Sequence, residues 1–189
     1  MKVSGLPTPA MILDVMHRPP PATIGQPGDQ ESAEVMAAIL ALHRNNAEQW
    51  DREDDARKDT ADDAMVAAAK RDIDRLNTAR HHFIEAIDRE ISLMITGREG
   101  ASLVTESPGM AMDRLSVLMI RLASTEARAT SGAADAKLYA ERLPRLRNQC
   151  DALVEAIATL LDDLTEGRRR FIAYASLKLY GPEDPEPVG

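Results

Sequence analysis

Residues 36–57 read MAAILALHRNNAEQWDREDDAR, and their spacing decides the fold. Steps of three and four lead from Met36 to Ile39, His43, Asn46, Trp50, Glu53 and Arg57, which keeps all seven on one face of a helix. Packing alone would fill that face with Leu, Ile and Val. Here it starts apolar and turns polar, which marks a site or a solvated groove.

The same periodicity extends outward. A first helix is expected from Ser32, a plausible N-cap, to about Asp59, with Glu48, Asp51 and Asp55 opposite the seam. A second starts near Asp62 and strings Val66, Lys70, Ile73, Asn77, Arg80, Ile84, Ile87, Ile91 and Met94 along one stripe, stopping before Gly97. The short link at 59–61 forces an antiparallel hairpin, setting His43 opposite Asn77 and Trp50 near Lys70. Thr105-Glu106-Ser107-Pro108 reads as the start of a third helix, with Pro at the first helical position and Met112, Leu115, Met119 and Leu122 as its apolar stripe. That helix fades at Ser131-Gly132. The last helical region begins near Ala133, starts anew or kinks at Pro144, and carries Leu146, Cys150, Leu153, Ile157, Leu160, Leu164, Gly167, Phe171 and Tyr174. On that stripe Gly167 would let another helix approach closely.

The expectation is an all-α antiparallel bundle of four main helices, one domain over 31–180. It lies between an irregular Pro-rich arm, 1–30, and an irregular Pro-rich tail, 181–189. Six of the eleven prolines precede Asp29, and proline at that density opposes a continuing helix. Met11 to Met16 is the one apolar stretch of the arm, so the arm is expected to dock on the body or on another subunit. A long last helix able to reach a partner suggests a homodimer.

Composition narrows the function. The formal charge is −8, and seven carboxylates between Asp51 and Asp63 face only Arg52, Arg57 and Lys58, which argues against nucleic-acid binding. Cys150 is the single cysteine, so an internal disulfide and a Cys-based zinc site are excluded. With no apolar run near the roughly 20 residues of a membrane span and no secretion-signal pattern at the N-terminus, the expectation is a cytoplasmic protein.

Several ordered motifs go beyond periodicity: Gln49-Trp50-x-x-Glu53-Asp54-x-x-Arg57, Lys70-Arg71-x-Ile73-Asp74-x-x-Asn77-x-x-Arg80, Thr105-Glu106-Ser107-Pro108 and Met112-Asp113-Arg114-Leu115-Ser116. Leu160-Leu161-x-Asp163-x-x-x-Gly167, Tyr174 and Lys178-Leu179-Tyr180 follow. In these the chain resembles an uncharacterised bacterial family, domain of unknown function 4254, from about Val35 to Pro185. It departs from the family pattern after Tyr180, where Gly181-Pro182 and Asp184-Pro185 replace Asn-Asp-Pro and Asn-Pro. The resemblance implies an all-helical protein without an assigned activity, in the neighbourhood of cell-envelope glycan enzymes.

The first functional expectation is a polar pocket between helices that binds a small polar or anionic molecule, sugar- or nucleotide-related. Its lining is His43, Asn46, Trp50, Glu53, Asp54, Arg57, Lys70, Asn77, Arg80, Asp113 and Arg114, with Lys178 and Tyr180 at a basic end that begins at Arg168-Arg169-Arg170. Arg and Lys supply charge-assisted donors, Asn both donors and acceptors, and the indole a flat wall. The competing reading is an ion-pair network of Glu53, Arg57, Lys70 and Arg80 that fixes helix register in an interaction protein. A third reading places magnesium for phosphate hydrolysis on Asp51, Glu53 and Asp54 with Glu85 and Asp88, but the hairpin register separates those groups, and a solvated acidic face fits them better. His82-x-x-Glu85 lacks the second copy a di-iron site requires, and His81 and His82 read as surface histidines. Ser107 and Ser116 have no legible His and Asp partners. No metal and no cofactor are expected.

Overall fold

The computed structural model describes residues 6–17, 30–58, 62–98 and 100–177. The link 59–61, Pro19 to Pro21, Pro27, Lys178, Tyr180 and the tail from Gly181 lie outside the described residues, as does the Ser32 side chain. Five helices carry the fold: α1 (Pro9–His17), α2 (Gln30–Ala56), α3 (Asp63–Met94), α4 (Pro108–Ala129) and α5 (Ala136–Thr165). The chain is all-α apart from two two-residue strands, β1 (Ser102–Leu103) and β2 (Arg169–Arg170), which pair in parallel.

Local chemistry sets the helix ends. The Asp62 carboxylate accepts the Met65 N–H at the start of α3, and the Ser107 hydroxyl accepts the Met110 N–H at the start of α4, with Pro108 in the first turn. At the end of α5, Gly167 adopts φ +67, the Gly167 N–H donates to the Leu164 carbonyl and the Arg168 N–H to the Asp163 carbonyl. That pair of bonds is a Schellman cap, so Gly167 serves the left-handed turn. This corrects the helix-approach reading of Gly167, since the group lying over it is the Arg98 side chain. Pro144 neither starts nor ends α5, which runs through it.

The helices form two hairpins. α2 packs along α3, and α4 along α5, while α4 also rests on both α2 and α3. Among the described residues α5 makes no extended packing with α2 or α3. The gap this leaves between α2 and α5 is filled at one end by α1. Residues 9–17, inside the arm expected to be irregular, are therefore a short helix, with Pro9 at a first-turn position that tolerates it. Ile12 and Met16 join the core with Val35, Ile39, Leu42, Ile87, Ile91, Met112, Leu115 and Ile157. Full burial of each such side chain stabilises the fold by about 1.5 to 3 kcal/mol.

Asn45 fixes the α2–α3 register by donating to the Leu76 carbonyl at 3.1 Å, with Arg75–Glu48 and Arg52–Asp72 ion pairs on the outside. No described helix is long and apolar enough to cross a membrane.

Candidate functional site

The polar seam of α2 does turn inward for two turns. Asp113 of α4 is its centre: Arg80 Nε donates to Asp113 Oδ1 at 2.7 Å, Arg80 Nη2 donates to Oδ2, and Asn46 Nδ2 donates to Oδ1 at 2.9 Å. Asn46 Nδ2 also reaches Ser116 Oγ at 3.1 Å, and the same Oγ lies 3.0 Å from His43 Nδ1. Three helices are thereby tied through five side chains, with Asn46, Asp113 and Ser116 buried. The bidentate Arg80–Asp113 pair holds the guanidinium pKa above its ordinary value. His43 is shifted the other way, by burial first and then by the neighbouring charge of His17 on α1, so it favours the neutral ring. Ser116 has a histidine partner that the sequence did not reveal, yet it is fully buried, which leaves no room for a substrate carbonyl.

A second junction was missed by sequence reasoning. Asp88, expected on a solvated acidic face, is fully buried, and this corrects that expectation. Its Oδ1 accepts the Gly109 N–H at 2.7 Å and its Oδ2 accepts the Tyr174 N–H at 2.8 Å. Burial pushes its carboxyl above the usual range, against the hydrogen bonds from Ser107, Tyr174 and Gly109 that favour the charged form. One turn earlier Glu85 accepts the Ser176 N–H at 2.6 Å, and another turn back His81 meets the Tyr174 hydroxyl at 2.8 Å with the two rings stacked. Residues 81, 85 and 88 of α3 thus strap down the segment after β2. His81 is accordingly a partner of Tyr174 and not a surface histidine; His82 is the exposed one. A signal existed in the spacing, since Ile84, Ile87, Asp88 and Ile91 share one stripe.

The remaining seam residues make no hydrogen bond to this network, although the charge of Glu53 acts on Arg80. Arg57 pairs with Glu53 at 2.9 Å and Asp54 at 3.4 Å on an exposed helix end, and Lys70 is exposed. Asn77 is half-buried on α3. Arg114 is held by Glu106. Of the postulated register network, Glu53 pairs with Arg57 and its charge acts on Arg80, Lys70 stands apart, and the direct partner of Arg80 is Asp113. Among the described residues no group of three His, Cys, Asp or Glu side chains could hold a metal ion.

Space for a ligand lies where α1 stops filling the gap between α2 and α5. A groove of about 860 Å³ there has Trp50 and Asp54 of α2 on one wall. Arg121 and Arg128 of α4 with Tyr139, Arg142 and Arg145 of α5 form the other. Tyr139 anchors two of these cations, with Arg142 at 5.2 Å and Arg128 at 6.0 Å from its ring centre. Through Arg121 and Gln149 the groove continues into a second cavity of about 590 Å³ that reaches Arg80, Glu106 and Arg114. Sequence reasoning supplied Trp50, Asp54, Arg80 and Arg114 for this region. It missed the arginines of α4 and α5, whose spacing resembles any solvated helix face.

Two helical hairpins with an arginine-bearing groove between them define a helical-bundle protein. Residues 36–172 match the model of the family described as Protein of unknown function (DUF4254), and the chain belongs to that family. The match stops before Tyr174, Lys178 and Tyr180. No curated protein and no solved structure matches the chain.

Proposed function

We propose that the chain binds a small anionic molecule in the groove between its hairpins, on Arg121, Arg142 and Arg145 and against Trp50. One observation carries this reading. In a protein with a charge of −8, these three arginines have no carboxylate partner among the described residues. The other arginines that line the two cavities, Arg80, Arg114 and Arg128, each have one. Unpaired guanidinium groups converging on a concave surface suit phosphate or carboxylate, which they can bind through two parallel hydrogen bonds. The buried network of His43, Asn46, Arg80, Asp113 and Ser116 then acts as the scaffold that fixes α4 against α2 and α3. A cytoplasmic setting, supported by the single buried Cys150, and a homodimer built on the largely exposed α5 belong to the same reading.

The test is thermal unfolding at fixed protein concentration against phosphate, pyrophosphate, sugar phosphates and divalent cations. An anion at 100 times its Kd should add about 2.7 kcal/mol of stability, a rise of several degrees, and Arg121→Ala with Arg145→Ala should remove it. A flat response to every anion would overturn the reading.

A further inference from the structure

We infer that the ligand of this groove is a nucleoside diphosphate, with its base on Trp50 and its phosphates on Arg121, Arg142 and Arg145. The inference rests on the anion-binding reading above and adds the class of molecule.

Size gives the first argument. A lone phosphate would leave most of about 860 Å³ to water, whereas grooves of this order suit ligands of nucleotide size. Charge gives the second: the groove carries the Asp54 and Glu141 carboxylates as well, but the three guanidinium groups without a carboxylate partner match the roughly three negative charges of a terminal diphosphate better than a single carboxylate.

The third argument comes from the two rings. Tyr139 is already engaged by Arg128 and Arg142, so it positions cations and has little face left to offer. Trp50 belongs to the opposite wall, is half-buried, and has no ring or cation partner among the described residues. An indole beside a cluster of arginines provides a stacking surface next to an anion site, the combination by which proteins hold bases without reading their edges. Beyond Arg121 the trough changes character. Arg80 and Arg114 are each paired with a carboxylate there, and Glu106 and Gln149 offer polar atoms without net positive charge. The diphosphate is therefore held on the Arg142–Arg145 side of Arg121, and a neutral polar substituent on its far end would enter the second cavity.

Trp50 is the only tryptophan of the chain, so its fluorescence reports stacking directly in the intact protein. Titration with ADP, UDP, pyrophosphate and glucose 1-phosphate should show quenching by the two nucleoside diphosphates. Calorimetry should give Kd values at least about tenfold below that of pyrophosphate, the gain expected of one stacked base. Trp50→Leu should bring ADP and pyrophosphate to the same affinity, while Arg145→Ala should weaken both. Should Trp50→Leu fail to fold by circular dichroism, Trp50→Phe replaces it, with a partial loss confined to ADP and UDP. Pyrophosphate or glucose 1-phosphate binding as tightly as ADP would overturn the nucleoside assignment and leave the anion groove standing. Absence of binding by all four compounds would overturn both.

Discussion

Arg80 and Asp113 are unequal partners. The Asp113 side chain is 9% exposed and the Arg80 side chain 29%, so a change that strips the carboxylate of its cation strands the more buried charge. Arg80→Met should cost about 2 to 3 kcal/mol in urea unfolding, and Asp113→Asn about 1 kcal/mol, since the amide oxygen still accepts from Arg80 Nε, while Arg80 Nη2, left facing an amide N–H, can turn to water. Equal losses would mean that the pair is not seated as described. Asp88 makes a pH prediction. Its folded pKa is raised by burial, so its contribution to stability is fully present below the ordinary carboxylate pKa and is lost as pH rises through the raised value. Most carboxylates trend the other way, so the signal is a difference. The stability of the native chain minus that of Asp88→Asn should fall as pH rises from about 4 to 7. In that variant the amide oxygen can keep the Gly109 N–H, while the amide nitrogen meets the Tyr174 N–H and loosens the strap.

At the scale of elements, α3 and α4 approach closely at Gly109. A Cβ there would lie 2.5 Å from the Ile84 carbonyl oxygen and 2.9 Å from Asp88 Oδ1, one a backbone atom and the other pinned by hydrogen bonds. Gly109→Ala should therefore lower stability by about 2 to 3 kcal/mol, measured in urea, despite the better helix propensity of alanine. α1 is held differently, by Ile12 and Met16 in the core and by the His43 ring beneath its last turn. His43 has a folded pKa below its ordinary value, so its contribution is present above pH 6.5 and lost as pH falls through the lowered pKa. Hydrogen exchange should show residues 9–17 losing protection between pH 7.5 and 5.5, ahead of α3 and α4. His43→Gln should flatten that dependence. These elements also show what the sequence could disclose. The four long helices, their starts near Asp62 and at Ser107-Pro108, and the seams that carry Asn46 and Arg80 are written in local spacing; which seam residues are buried is not. Spacing places Asp88 on the stripe of Ile84, Ile87 and Ile91, but the strap is not written there, because its backbone donors stand 21 and 86 residues away. Nor could spacing disclose that α1 takes one end of the gap beside α5, since Pro-rich flanks hid a helix of nine residues.

For the molecule as a whole, the question is how a chain of charge −8 attracts an anion. Most of the excess acid gathers at the end of α2 and the start of α3, and Asp54 itself lines the groove, 58% exposed and 3.4 Å from Arg57. Two fields therefore compete at the ligand: direct contact with Arg121, Arg142 and Arg145, and repulsion from Asp54 and Glu141 on the groove and from carboxylates farther away. Contact pairs are shielded from salt less effectively than charges separated by more than the Debye length, about 10 Å at 0.1 M. Salt screens the longer-range repulsion first, so pyrophosphate affinity should hold or rise as sodium chloride goes from 0.02 to about 0.1 M and then fall towards 0.5 M as the arginine contacts are screened in turn. Asp54→Asn should raise affinity about two- to threefold at the low end, the size of one exposed charge acting through water, and have no effect at 0.5 M. Calorimetry across the salt series checks both. Affinity that rises without a turn up to 0.5 M would show that net charge governs the encounter and that the anion does not rest on the three arginines.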